Sequence, residues 1–125
     1  METAENKNKF DLEERTAKFG ENVLRLLKQI SKTPENISLI NQLARSATSI
    51  GANYCEASEA ESKKDFSHKI AISKKESKET GFWLRMLVSS EPKLKEEIEI
   101  LRKEVHEFNL IFGKIRRSCN KSIEN

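Results

Sequence analysis

Helix breakers are nearly absent from this chain. It holds two prolines and four glycines in 125 residues, and the glycines, at positions 20, 51, 81 and 113, stand singly inside apolar-periodic stretches. A β-sandwich needs clusters of Gly, Pro and Asn at its turns, so that class is disfavoured, and long helices with few connections remain. Both prolines sit at breaks in the pattern, in Ser31-Lys-Thr33-Pro34 and Ser90-Glu91-Pro92. Thr33 is suited to an N-cap and Pro34 to the first helical turn, where a missing N–H has no intrahelical acceptor to lose.

Between the breaks, apolar residues recur every three, four and seven positions. The first stripe is Leu12, Phe19, Val23, Leu26, Leu27 and Ile30. The second is Ile37, Ile40, Leu43, Ala44, Ala47, Ile50, Gly51 and Tyr54. Its small members predict a tight crossing with a neighbouring helix. Ser62 and Asp65 form a capping-box-like start for a third helix, whose inner stripe is Phe66, Ile70, Ser77, Gly81 and Leu84. The fourth stripe is Leu94, Ile98, Leu101, Val105, Phe108, Ile111, Phe112 and Ile115. Four helices of roughly 22–27 residues, about 33–40 Å each, joined by short connections, predict an all-α fold: an antiparallel up-down-up-down four-helix bundle. The expected bundle is 11–118, between a disordered N-terminal tail at 1–10 and a C-terminal tail at 119–125.

The third helix carries more than one face needs. With Phe66 at zero and about 100° per residue, Ile70, Ser77 and Leu84 fall close to it. Ile72, Trp83 and Leu87 gather at about 240–300°, in company with Glu76 and Glu79. That sector is either the edge of a wide core face or a flank that meets another subunit, and the second reading is preferred because aromatics concentrate at interface cores. The two carboxylates then need a donor, from Arg45, Asn53 or a neighbouring subunit's lysine. A third arc holds Lys63, Lys64, Lys74, Lys75, Lys78 and Arg85.

Net charge is +3, and its placement says more than its size. Residues 62–85 carry seven Lys or Arg against three acids, and 109–125 carry four against one, including Lys114, Arg116 and Arg117. Cations so grouped are either an ordinary solvated helix face or a surface for phosphate contact with little sequence discrimination. The aromatic interleaving typical of single-strand binders is missing, so phosphate or shape contact is the most that the sequence leads one to expect.

No apolar run reaches the roughly 20 residues that span a bilayer, and the polar first residues do not read as a signal peptide. Cys55 and Cys119 are far apart, which fits a reduced, cytoplasmic chain. Cys55 is expected as a buried small hydrophobe and Cys119 in a fraying tail. His68 and His106 lie in no metal-ligand spacing, and no Gly-rich phosphate loop or Ser-His-Asp set is present. Glu76 and Glu79 read as ion-pair partners rather than an acid–base pair, with Lys75–Glu79 the local i,i+4 pair. No catalytic residue, metal site or cofactor is expected.

Two runs carry a resemblance. Gln42-Leu-Ala-Arg45-Ser46-Ala47-Thr-Ser-Ile50-Gly51-Ala-Asn53-Tyr54-Cys-Glu56-Ala57 and Ser62-Lys-Lys-Asp65-Phe66-Ser-His-Lys-Ile70-Ala-Ile72-Ser-Lys-Lys-Glu76-Ser-Lys-Glu79-Thr-Gly-Phe-Trp83-Leu84 resemble the four-helix-bundle family of 23S rRNA intervening-sequence proteins. The family's second helix commonly ends in Glu-Gly; here it is Glu56-Ala57. The resemblance implies a bacterial protein forming a ring-shaped homopentamer, with nucleic-acid binding proposed from basic surfaces. A related branch serves as an accessory to reverse transcriptases of diversity-generating retroelements. By motif position Arg45, Asn53, Glu56, Asp65, Glu76 and Glu79 form the polar signature, expected as structural or intersubunit ties. The expected function is therefore a non-enzymatic oligomeric bundle holding RNA phosphate through its lysine-rich faces. The other reading is a protein–protein scaffold or accessory subunit without RNA contact.

Overall fold

The computed structural model describes the backbone of residues 4–124 and the side chains of residues 12–124. Four helices follow in order: α1 (Ala4–Leu27), α2 (Pro34–Ser58), α3 (Lys63–Ser90) and α4 (Lys95–Glu124), with a single 3-10 turn, Pro92–Leu94, leading into α4. The described residues include no strand. The helices form an antiparallel four-helix bundle, as the pairings across each seam show. Thr16 meets Gly51 between α1 and α2, Arg45 meets Glu76 between α2 and α3, Asn109 meets Lys74 between α3 and α4, and Arg15 meets Glu104 between α1 and α4.

Local chemistry sets the helix ends. The Thr33 hydroxyl accepts the Asn36 N–H at 3.3 Å ahead of Pro34, and the Ser62 hydroxyl accepts the Asp65 N–H at 3.0 Å. The break at Ser90-Glu91-Pro92 is where the sequence places it, but Glu91 does not cap α4. Its carboxylate instead accepts the Ser31 N–H at 3.3 Å and the Asn36 amide at 3.2 Å. Asn36 is buried, donates a second bond to the Ser31 carbonyl at 2.9 Å, and accepts the Ser90 hydroxyl. One polar side chain thus ties the α1–α2 loop to the α3–α4 turn.

The five α1 positions expected inside are buried, as are Ile30 just after that helix and Ile98, Leu101, Val105, Phe108 and Phe112 of α4. Small residues set the close approaches. A Cβ on Gly51 would fall 3.0 Å from the Thr16 hydroxyl, so α1 and α2 cross where the stripe of small residues predicts. Between α2 and α3 the filling is hydroxyls: Thr80 donates to Ser46 at 2.9 Å and Ser73 to the Ile50 carbonyl at 3.0 Å. Buried side-chain polar atoms among the described residues all have partners, as burial requires. α1 stands farther from α4 than from α2, and Phe19 and Phe108 bridge that wider gap edge to face at 5.5 Å.

Three expectations need correction. Cys55 is exposed, because it follows buried Tyr54 around the helix onto the outer groove between α1 and α2, where its thiol donates to the Glu13 carboxylate at 3.6 Å. Partial desolvation, then that carboxylate, holds the thiol above its ordinary pKa. The C-terminal tail is helical to Glu124. Ser67 donates to Asn120 at 2.6 Å, Lys63 to Ser122 at 2.8 Å and Cys119 to the Lys63 carbonyl at 3.4 Å, fastening the last turns to the start of α3. α1 starts at Ala4, ahead of Asp11 where the periodicity begins. Of the expected 1–10 tail, residues 1–3 and the side chains of 4–10 lie outside the described residues.

Tyr54 packs beside Phe112 at 5.9 Å. Burial, then the Glu13 charge and Cys55, pushes its hydroxyl up to about 12 from an ordinary 10.0. The unfolded chain therefore releases this proton first, and stability falls as pH rises through the window from 10 to about 12. Urea midpoints measured across that window should drop more for the wild type than for Tyr54→Phe. Parallel curves would show that the phenol ionises equally in both states.

Candidate functional site

α3 turns three arcs to three surroundings. Ile70, Ser77 and Leu84 point to the bundle centre and are buried. The sector holding Glu76, Glu79, Trp83 and Leu87 turns toward α2 of the same protomer. Of the five residues expected to contact another subunit, Ile72 included, only Leu87 is closed off by the fold itself. Leu87 is wholly buried in the bundle's own core, and Trp83 packs against that core while staying half-buried. A helix with two neighbours buries an arc wider than one stripe, which for Leu87 and the inner side of Trp83 is the wide core face that the sequence also offered.

The carboxylates of that sector take Arg45 of α2 as their donor. Its guanidinium meets Glu76 at 3.1 and 3.3 Å, binds Glu79, and reaches Gln42 at 3.5 Å. Glu79 also accepts the Trp83 indole N–H at 3.2 Å. Among the described residues Glu79 pairs with Arg45 rather than with Lys75. Glu56 pairs with Lys69 at 2.7 Å, raising that ammonium's pKa, and Asn53 donates to the Ser49 carbonyl at 2.9 Å. Arg45 with Glu76 and Glu79, and Glu56 with Lys69, therefore clasp α2 to α3, while α3 is capped by Ser62, whose hydroxyl accepts the Asp65 backbone N–H. These are ties within one protomer. Asp, Glu, His and Cys side chains nowhere gather in threes suited to a metal among the described residues.

The cation arc of α3 faces α4. Because the two helices run antiparallel, cations about forty residues apart come together. Lys64 shares a depression of about 380 Å³ with His68, Arg116 and Asn120, and Glu124 is its one carboxylate. Lys74 and Arg117 both lie within 3.3 Å of the position a Cβ on Gly113 would take. Lys78 borders a groove of about 490 Å³ with Arg102, Lys103 and His106, where Glu99 is the one carboxylate and is paired with Arg102 at 2.8 Å. Lys75, Arg85 and Lys114 are exposed, and Lys63 is held by Ser122.

Arg102 and Lys103 went unnoticed in the sequence because their block, 86–108, is net acidic, and His106 was considered there only as a metal ligand. The helical phase of α4 carries the missing signal. Glu104 and Glu107 of that block turn the other way and bind Arg15 of α1 at 2.6 and 3.5 Å, while Glu97 takes Gln29 at 3.0 Å. Glu97, Glu104 and Glu107 thus lie on the α1 side of α4, while Arg102, His106, Arg116 and Arg117 lie on the α3 side with Glu99 and Glu124, and Lys103 borders both grooves. The seams α1–α4 and α2–α3 are ion-paired. Lys64, Lys74, Lys75, Lys78, Arg85, Lys103, Lys114, Arg116 and Arg117 make no ion pair among the described residues. Like charges gathered without counter-charge repel, and an anion laid between them removes the repulsion.

Residues 8–114 match the family described as 23S rRNA-intervening sequence protein. No curated protein matches. Among solved structures, the chain is similar to a crystal structure of a protein with unknown function from the S23 ribosomal protein family of Bacteroides thetaiotaomicron. The two are 30% identical with a TM-score of 0.79, over 87% of this chain and 97% of that one. No helix among the described residues is long and apolar enough to cross a membrane.

Removing Arg45 strands Glu76, which is 9% exposed. Arg45→Met should cost about 1–3 kcal/mol in chemical denaturation, the penalty of an unsatisfied buried group. Adding Glu76→Gln should recover part of it in a double-mutant cycle. Additive losses would mean the clasp is not an energetic unit.

Proposed function

The chain belongs to the 23S rRNA-intervening sequence protein family, and on that footing we propose that it is a non-enzymatic, self-associating bundle that holds RNA phosphate along the α3–α4 groove. The observation that carries the reading is the sorting of charge. Cations of two distant segments line one groove, and all but Arg102 lack ion-pair partners among the described residues, while Glu76, Glu79, Glu104 and Glu107 are taken up on the other seams and only Glu99 and Glu124 line this one. Lysine supplies a point charge and reads no base edge, so the contact is to backbone rather than sequence.

Phosphate binding of this kind releases counterions, and log affinity falls linearly with log salt. Fluorescence anisotropy with a labelled RNA should show that dependence. Lys74→Glu, Lys78→Glu and Arg117→Glu should each weaken binding, with a slope smaller by roughly one for each phosphate contact removed. Lys69→Glu, on the paired α2–α3 seam, should change little. Salt-insensitive binding, or groove variants that bind like wild type, would remove the reading. A protein partner retained after nuclease treatment, with no RNA bound, would favour the accessory-subunit alternative.

The self-association rests on Ile72 and Trp83, which stay half-buried at the outer edge of the α2–α3 seam. A second copy of the chain laid over that edge would cover them, and closed symmetry would repeat the groove around the assembly. Light scattering should give an oligomeric mass that falls for Trp83→Ala while helical circular dichroism is retained. An unchanged mass would make Trp83 an ordinary rim residue of the core.

A further inference from the structure

The lysine-bearing arc of α3 includes one exposed aromatic ring. Phe82 is 51% exposed and stands four residues after Lys78, seven after Lys75 and three before Arg85. On a helix those offsets are neighbouring positions on one surface, with Cβ atoms of adjacent pairs about 5–6 Å apart. The ring is also braced. Trp83, packed against the core, meets it edge to face with centroids 5.2 Å apart and planes at 70°. An exposed phenyl held by a fixed indole and flanked by cations costs solvent-exposed apolar area and leaves a π face free.

Resting on the phosphate reading of the adjacent groove, we infer that Phe82 is a stacking platform for an unpaired base, so that the ligand is single-stranded RNA rather than duplex. A base laid on the ring sends its flanking phosphates toward Lys78 and Arg85. Stacking tolerates any base, because every base has a π face. In an A-form duplex those faces are already stacked on each other and cannot reach the ring. The sequence hides this arrangement because Phe82 adjoins Trp83 and reads as part of one apolar pair.

The test compares a short labelled RNA without self-complementarity, alone and annealed to its complement. Wild type should bind the single strand more tightly. Phe82→Ala should lower single-strand affinity roughly 5- to 100-fold, the range for loss of a base-stacking aromatic, with duplex affinity and salt slope unchanged. Phe82→Leu, which keeps apolar volume but no π face, should behave alike, and Phe82→Trp should restore binding. Trp83, the single tryptophan, should change its emission as the single strand is added. Equal losses for both RNA forms, no loss for the single strand, or a fall in oligomer mass on Phe82→Ala in place of an affinity change would overturn the proposal. If Lys78→Glu weakens both forms while Phe82→Ala does nothing, phosphate contact stands and stacking falls. If wild type binds neither form at low salt, both readings fall together.

Discussion

The close grip on α3 from both sides governs everything else in this bundle. Toward α2 it presents hydroxyls and small groups, with Thr80 on Ser46 and Ser73 on the Ile50 carbonyl. Toward α4 it presents Gly81 against Val105 and Ser67 against Asn120. Small side chains let helix axes approach, and each buried hydroxyl then finds an acceptor across or along the seam. Once both flanks are engaged, the rotation of α3 about its axis is settled. Its third arc, with the lysines, has only the groove with α4 and the solvent left to face.

Electrostatics follows from that rotation. α4 offers α1 its acids, where Arg15 takes Glu104 and Glu107 and lies over the Phe108 ring at 5.3 Å. α2 offers α3 a guanidinium, and Arg45 takes two carboxylates. Most paired carboxylates are thus taken up at two seams, and the third, with only Glu99 and Glu124 among its lining, keeps a cationic surplus. A modest net charge of +3 becomes a local field through geometry alone, since Lys74 and Arg117 reach a common point over Gly113 from different helices. The clasp has its own consequence for exposure: by holding Glu79, and through it the Trp83 indole, it fixes the ring on which Phe82 leans.

Periodicity and end signals made the fold legible from residues alone. Phe19, Val23 and Leu26, or Val105, Phe108 and Phe112, recur at helical spacing and need burial whatever their partners, so four amphipathic rods follow from the spacing. Thr33 with Pro34, and Ser62 with Asp65, act within one turn and depend on no distant group. Wheel arithmetic also collected the α3 lysines on one arc, and the motif runs collected Arg45 with Glu76 and Glu79. These features are local, or repeat with the helix period, and such information survives in a linear string.

Which neighbour each arc would meet was decided only by packing. Whether Leu87 belonged to the core or to a spare flank stayed open in the sequence because a single helix carries no record of having two neighbours. Cys55 looked buried because its phase relative to α1 is set by the Thr16–Gly51 contact, not by its own surroundings. The C-terminal segment looked like a tail because its partners, Lys63 and Ser67, lie more than fifty residues earlier. Arg102 and Lys103 were hidden in an acidic block until antiparallel pairing laid them, with His106, beside Lys78. Helix formation is an energy summed along the chain, and the sequence by itself determines it. The choice of facing partner is an energy of contact across space, which exists only after the rods have packed.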